Sequence, residues 1–181
     1  MSTAELEKLL DTAEYLFYER GYQAVGMDEI RAASGLSLKR IYSLVGSKEQ
    51  LAVRMLRRRD HKWHADLKAY VDKASEDRHL VAIFDWLYDW LSGAGHRGCA
   101  WINAAGEMGA ISPPILNEAQ CHKKRFLDFM RDTTKNSGLS EDVATTIFLL
   151  AEGCMTTVGI NGDTSVVRDA QRHVEQMVQR A

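Results

Sequence analysis

Proline is nearly missing from this chain: of 181 residues only two are proline, and they are neighbours, Pro113 and Pro114. Strict polar–apolar alternation is almost absent as well, which excludes a sheet-built fold. Cysteine is scarce, and Cys99, Cys121 and Cys154 are odd in number and far apart. That spacing excludes a disulfide framework and suits reduced, mostly buried thiols. No run approaches the roughly 18 apolar residues of a membrane span, and the start lacks the basic, apolar and small-residue succession of a secretory signal. The expectation is a cytoplasmic protein with no membrane partner. Neither sign of charge dominates, and a net charge of -2 excludes a chain that coats a polyanion with its whole surface. Glycine-rich phosphate loops, G-x-S-x-G, CxxC and HExxH are all missing, so no catalytic residues, no metal and no cofactor are expected. His61-x-x-His64 puts two imidazoles on one helical face, but Cys121-His122 lies far along the chain.

What is present is helical periodicity nearly throughout, with ordinary apolar (45%) and charged (27%) fractions that supply a sizeable core. The expected fold class is all-α. Ser2-x-x-Glu5 is a capping box for a first helix that carries Leu6, Leu9, Leu10, Ala13, Leu16 and Phe17 on one face and stops at Gly21. A short second helix spans about Asp28 to Ser34, with Met27, Ile30 and Ala33 as its stripe. Gly35 makes the turn. Ser37 caps a third helix through Val45, whose Leu38, Ile41 and Val45 (or Leu44) face inward while Lys39, Arg40 and Ser43 face out. Ser47-x-x-Gln50 opens a long fourth helix to about Ala74, with Arg59 interrupting its apolar stripe. Leu80 to Leu91, a glycine-punctuated stretch from Gly93 to Gly109, a helix from Pro113-Pro114 to before Gly138, one from Ser140 to Ile160 and one from Asp163 or Thr164 to Arg180 complete the chain.

Charge is distributed unevenly. Residues 1–30 hold seven acidic side chains (Glu5, Glu7, Asp11, Glu14, Glu19, Asp28, Glu29) against Lys8 and Arg20. Residues 31–62 hold nine basic ones (Arg31, Lys39, Arg40, Lys48, Arg54, Arg57, Arg58, Arg59, Lys62) against Glu49 and Asp60. A local basic block in an otherwise acidic protein is the footprint of a module that meets phosphates with one face; a solvated helix surface is the alternative.

Two short helices around a glycine turn, the second capped by serine, meet the physical requirements of a helix-turn-helix, here about residues 26–45. The first helix braces the second so that its N-terminal turn reaches phosphates and base edges in a major groove.

The stretch LLDTAEYLFYERGYQAVGMDEIRAASGLSLKRIYSLVGSKEQLAVRML, Leu9 to Leu56, resembles the DNA-binding domain of the tetracycline-repressor (TetR) family. Ala13, Leu16, Phe17, Gly21 and Tyr22 fit the first-helix pattern. Met27, Asp28, Ile30, Ala33, Gly35, Leu36 and Ser37 fit the second helix and turn. Tyr42, Ser47, Lys48, Glu49 and Leu51 fit the end of the recognition helix and the start of the fourth. The resemblance implies an N-terminal three-helix DNA-binding domain (1–47) that grips double-stranded operator DNA as a dimer. It implies a helical effector-binding and dimerisation domain behind it (48–181). The DNA-binding set is then Ser37, Lys39, Arg40, Tyr42, Ser43 and Lys48. Tyr42 and Lys48 match the family's phosphate contacts, and Arg40 has the planar fork that suits guanine. Departures occur: Val25 or Gly26 stands where a threonine is common, Leu38-Lys39-Arg40 replaces Lys-Gly-Thr, and Ser43, Leu44 and Val45 replace an aromatic-rich end, so the DNA sequence read is expected to be unusual.

Behind residue 48, Gly98-Cys99-Ala100-Trp101-Ile102-Asn103 is similar to a stretch of one TetR subgroup. Trp63, Trp86, Trp90, Trp101, Phe126 and Met130 form the expected effector set, for an apolar or aromatic small molecule, against the alternative of plain core. The last two helices are expected to form the homodimer, with Val143, Ile147, Leu150, Cys154 and Val158 on one stripe and Ala144, Phe148, Ala151 and Met155 on another. The function implied is a ligand-released dimeric repressor; an adaptor that has lost operator binding and a helical enzyme are the alternatives.

Overall fold

The computed structural model describes residues 3–179. Within them the order is α1 Thr3–Arg20, α2 Met27–Ser34, α3 Leu38–Val45, α4 Lys48–Val71, a 3-10 turn Glu76–Arg78, α5 His79–Leu91, α6 Ala100–Met108, α7 Pro113–Asn136, α8 Glu141–Asn161 and α9 Ser165–Gln179. No strand occurs among the described residues, so the all-α expectation holds. The Ser2 cap and the Arg180 helix end lie outside the described residues.

The helices pack as two compact units, one of residues up to His61 with Ala100–Cys121, the other of Lys62–Cys99 with His122 onward. In the first unit α1 buries Leu9, Leu10, Ala13, Leu16, Phe17 and Tyr18. A fully buried Leu or Phe contributes roughly 1.5–3 kcal/mol, so this one face supplies much of the unit's cohesion. The helix ends where Gly21 takes φ +91°, and a Cβ there would meet the Glu107 carboxylate at 2.9 Å. Gln23 completes that junction: its backbone N–H donates to Glu107 Oε2 at 3.1 Å and its Nε2 to the Glu107 carbonyl at 2.6 Å.

α2 buries Ile30 and Ser34, while Ala33 is exposed. The expected Met27–Ile30–Ala33 stripe is therefore corrected to one that continues through Ser34, four residues after Ile30, because the serine hydroxyl is satisfied locally by the Arg31 carbonyl and the Leu36 N–H. Gly35 then takes the left-handed conformation (φ +69°) that ends the helix. Ser37 Oγ accepts from the Arg40 N–H at 3.2 Å and caps α3, which buries Ile41, Leu44 and Val45. Ser47 Oγ accepts from the Gln50 N–H at 3.0 Å and starts α4.

Three expectations need correction. α4 ends at Val71, and Ala74 closes a turn onto the Val71 carbonyl. The glycine-punctuated stretch contains α6, which glycine content conceals although Ala100, Trp101 and Ala104 keep a helical apolar stripe. α8 is long and apolar enough to cross a membrane by composition, with a mean hydropathy of 1.6.

That surplus has a use in the second unit, where α8 and α9 pack together and α5 packs on both. Both stripes expected on α8 turn largely inward: Ala144, Ile147, Ala151, Cys154, Met155 and Val158 are buried. Val167, Ala170 and Val174 of α9 are buried with them. Polar ties fix the register, since Gln171 Nε2 donates to the Val81 carbonyl at 3.2 Å and Arg168 bridges Asp85 at 2.5 Å while lying 4.0 Å from the Tyr88 ring centre.

Candidate functional site

The outward face of α3 carries the chemistry expected of it only in part. Lys39 and Ser43 are exposed, Tyr42 is 43% exposed, and Ser37 presents the capped N-terminus of α3 beside them. A hydroxyl, a phenol, an ammonium and a helix N-terminus on one small face form an anion-seeking surface. Arg40 differs. Its Nη2 lies 2.5 Å and its Nε 3.2 Å from Glu5 Oε2, so α1 holds the guanidinium. Lys48 is half-buried with Nζ 5.8 Å from the Phe17 ring centre; burial pushes its pKa down, and the Glu107 carboxylate partly offsets that.

The basic block meets the acidic one. Arg58 reaches Glu7 at 2.9 Å, Asp11 at 2.8 Å and Glu14 at 3.0 Å, and Arg59 reaches Glu14 at 2.7 Å while covering the Tyr18 ring at 4.3 Å. Arg20 pairs with Glu29. Arg57 binds the buried Glu118 at 2.6 Å, and that carboxylate raises the guanidinium's pKa. Arg54 Nη1 donates to the Leu44 carbonyl at 3.1 Å and so ties α4 to the end of α3. Arg58 and Arg59 thus tie α4 to α1, and Arg57 ties it to α7. The two opposite charge blocks carry the signal in the sequence, but which carboxylate takes which arginine depends on how α1 crosses α4.

In the second unit Trp63 stands at the centre of an aromatic cluster. It is 4% exposed and meets Trp86 at 4.9 Å, Phe126 at 5.0 Å, His122 at 5.1 Å and Trp90 at 6.0 Å, each edge to face. Trp86 and Trp90 stack within 4° of parallel at 5.8 Å. Met130 is wholly buried. Trp101, also buried, belongs to the first unit. The indole N–H of Trp63 is buried with no hydrogen-bond partner. His64 stacks edge-on against Trp63 at 4.9 Å, and burial pushes its pKa down to about 4. A cavity of about 280 Å³ opens elsewhere in this unit, lined by Arg131, Asp132, Thr134, Lys135, Leu139 and Ser140 among others.

A capped recognition helix braced by a short partner, with a polar and basic outer face, defines a helix-turn-helix protein of the DNA-binding kind. Residues 9–55 match the family model described as bacterial regulatory proteins, tetR family. The fold matches SCO4454, a TetR-family transcriptional regulator from Streptomyces coelicolor, at TM-score 0.89 and 24% identity, over 98% of this chain and 96% of that one. It also matches the reduced form of NemR from E. coli (TM-score 0.85, 19% identity, 96% of each chain) and a TetR regulator from Legionella pneumophila (0.82, 20%, 98% of this chain and 97% of that one). No curated protein matches the chain in sequence. Residues 9–55 thus carry the pattern of the tetR family of bacterial regulatory proteins, and the fold of the described residues is that of the solved TetR-family regulators.

Proposed function

We propose that the chain is a dimeric repressor released from operator DNA by a small apolar or aromatic effector, with residues 1–47 gripping DNA and 48–181 binding effector and partner. The observation that carries the DNA part is the exposed face of α3, where Lys39, Tyr42 and Ser43 lie on the helix behind the exposed N-cap Ser37. Lys48 adds a positioning contact, and Arg40 reads a base once Glu5 releases it. A mobility-shift titration against DNA upstream of the protein's own gene tests this. Failure to shift any upstream fragment at micromolar protein and low salt sinks it. The hold of Glu5 on Arg40 favours one second reading, an adaptor of the same fold that no longer binds an operator.

The effector reading rests on the Trp63 cluster. Its unsatisfied indole N–H, which costs roughly 1–3 kcal/mol while unpaired, favours a flat apolar molecule that carries one hydrogen-bond acceptor. Trp101 is part of the proposed set only through its sequence neighbourhood. α4 runs from Lys48 to Val71 as one helix, with the DNA-side cations at its start and Trp63 further along, and supplies the coupling. Coupling is reciprocal, so operator DNA must weaken effector binding by the factor by which effector weakens operator binding. Tryptophan fluorescence titrations with and without saturating operator measure it, and equal affinities remove the mechanism.

The dimer reading rests on the outer face of α8. Leu149 is 62% exposed and Ile160 82%, and with Gly153 and Thr156 they fall at i, i+4, i+7 and i+11 on one stripe. A two-fold pairing of that stripe, with α9 beside it, gives a four-helix bundle.

A further inference from the structure

The imidazoles of His64 on α4 and His122 on α7 lie 5.3 Å apart. Asp60 stands one turn before His64 on the same unbroken helix, at i and i+4, so its carboxylate and that imidazole share a face. Each of the three residues offers one ligand atom, and these atoms all lie within 4.8 Å of one another. His61, the neighbour to which the spacing His61-x-x-His64 pointed, is exposed and stays outside the group. Contacts between α4 and α7 flank the group on both sides. One turn earlier Arg57 binds Glu118 at 2.6 Å, and these two precede Asp60 and His122 by three and four residues. One turn later Phe126, four residues after His122, meets Trp63 at 5.0 Å. Trp63 also stands against both imidazoles, 4.9 Å from His64 and 5.1 Å from His122. Asp60 is 2% exposed and His122 1%, while His64 is half-buried and is the member that meets solvent.

We propose that Asp60, His64 and His122 bind a divalent ion of the zinc class. Two imidazoles and one carboxylate suit zinc and its first-row neighbours, whereas magnesium and calcium take oxygen ligands alone. Ligand atoms about 2.0–2.1 Å from a tetrahedral zinc stand about 3.3 Å from one another, so side-chain rotations that draw the three atoms in by roughly 1.5 Å complete their part of the shell. The Arg57–Glu118 and Trp63–Phe126 contacts hold the two helix backbones while the side chains turn. Charge favours occupancy, because a dication compensates a carboxylate charge that burial makes costly. The Trp63 ring beside both imidazoles excludes water and strengthens the attraction between ion and ligands. Rotation of the half-buried His64 imidazole gives the hydrated ion its way in, and the ion exchanges three of its waters for the protein ligands. A fourth position remains, and water fills it.

The test is titration of the full chain, stripped with a chelator and dialysed, with cobalt(II) as a visible probe and zinc as its competitor. The expected result is one cobalt ion per chain at micromolar protein, with visible bands of four-coordinate intensity and no near-ultraviolet thiolate band. Two exchangeable imidazole N–H signals should be shifted by the paramagnetic ion in the proton NMR spectrum, and one equivalent of zinc should abolish all these features. H61A should keep the cobalt spectrum, and D60N and H122A should lose it. Failure of the parent to bind either ion at micromolar protein overturns the proposal. A thiolate band overturns it by placing the ion on cysteine, and weak six-coordinate bands or a spectrum lost in H61A overturn it by placing the ion on the surface. A folded D60N or H122A that keeps the parent's spectrum overturns it as well. Should those two variants fail to fold, the parent and H61A decide: fewer than two shifted imidazole signals in the parent removes the site.

Discussion

Arg40 on α3 is bound to Glu5 on α1, with the guanidinium Nη2 2.5 Å from Oε2 and both side chains 37% exposed. The one fork-shaped cation on the recognition helix thus starts in the grip of its own domain. At that exposure the pair is worth on the order of 1 kcal/mol or less, small enough for a phosphate or a guanine to displace. E5Q should therefore tighten operator binding by up to about fivefold, and R40A should lose discrimination at one base pair at a cost of roughly 1–3 kcal/mol. Binding curves for E5Q that overlay the parent's would show that the pair does not compete with DNA.

Lys48 is half-buried, with its ammonium 5.8 Å from the Phe17 ring centre. Its replacement by alanine should weaken binding to operator and to random DNA by similar factors, and should flatten the dependence of log affinity on log salt by about one unit. An unchanged salt slope would remove Lys48 from the phosphate contacts.

Leu149 and Ile160 are the exposed apolar members of the α8 stripe. A double substitution L149E/I160E places charge on a face proposed to be dry in the dimer, and should yield a monomer with intact helicity. Light scattering at micromolar concentration checks it. A parent that already runs as a monomer would refute the dimer, and with it the two-site grip on DNA.

His64 is held neutral by burial, with its pKa near 4 against an ordinary 6.5. Between those values the unfolded chain takes up a proton that the fold refuses, so stability is fully present above about pH 6.5 and declines as the pH falls towards 4. Thermal midpoints measured across that window should drop for the parent and drop less for H64N. Parallel slopes for the two proteins would assign the acid sensitivity to other groups.

The legible parts of this molecule are the local ones. Ser37 and Ser47 are readable as caps because an N-cap needs only a hydroxyl two or three residues before its acceptor-seeking N–H groups, and Gly35 as a stop because only its own φ is at stake. α6 is hidden because Gly93, Gly95, Gly98 and Gly109 flank it and Gly106 lies within it, and composition alone does not say which of them are needed. The structure supplies the reason for three. A Cβ on Gly98 would strike the backbone of α8, one on Gly95 would strike the Trp90 ring at 2.5 Å, and one on Gly109 would strike the Ala105 carbonyl at 2.5 Å.

By itself the sequence determined the helix count in the DNA-binding part, its turn and its caps, since these depend on residues within four or five positions of one another. It also determined that opposite charges stood in adjacent blocks. Only tertiary structure decided that Arg58 and Arg59 answer Glu7, Asp11 and Glu14, that Glu5 takes Arg40, that Trp63 gathers Trp86, Trp90 and Phe126 around it, and that Lys123 lies on Cys99. Those pairings join residues between 23 and 63 positions apart in the cluster and 24 to 51 in the ion and sulfur contacts. At such separations helical periodicity fixes which face a side chain occupies but not which neighbour that face meets, and the neighbour is chosen by how whole helices cross.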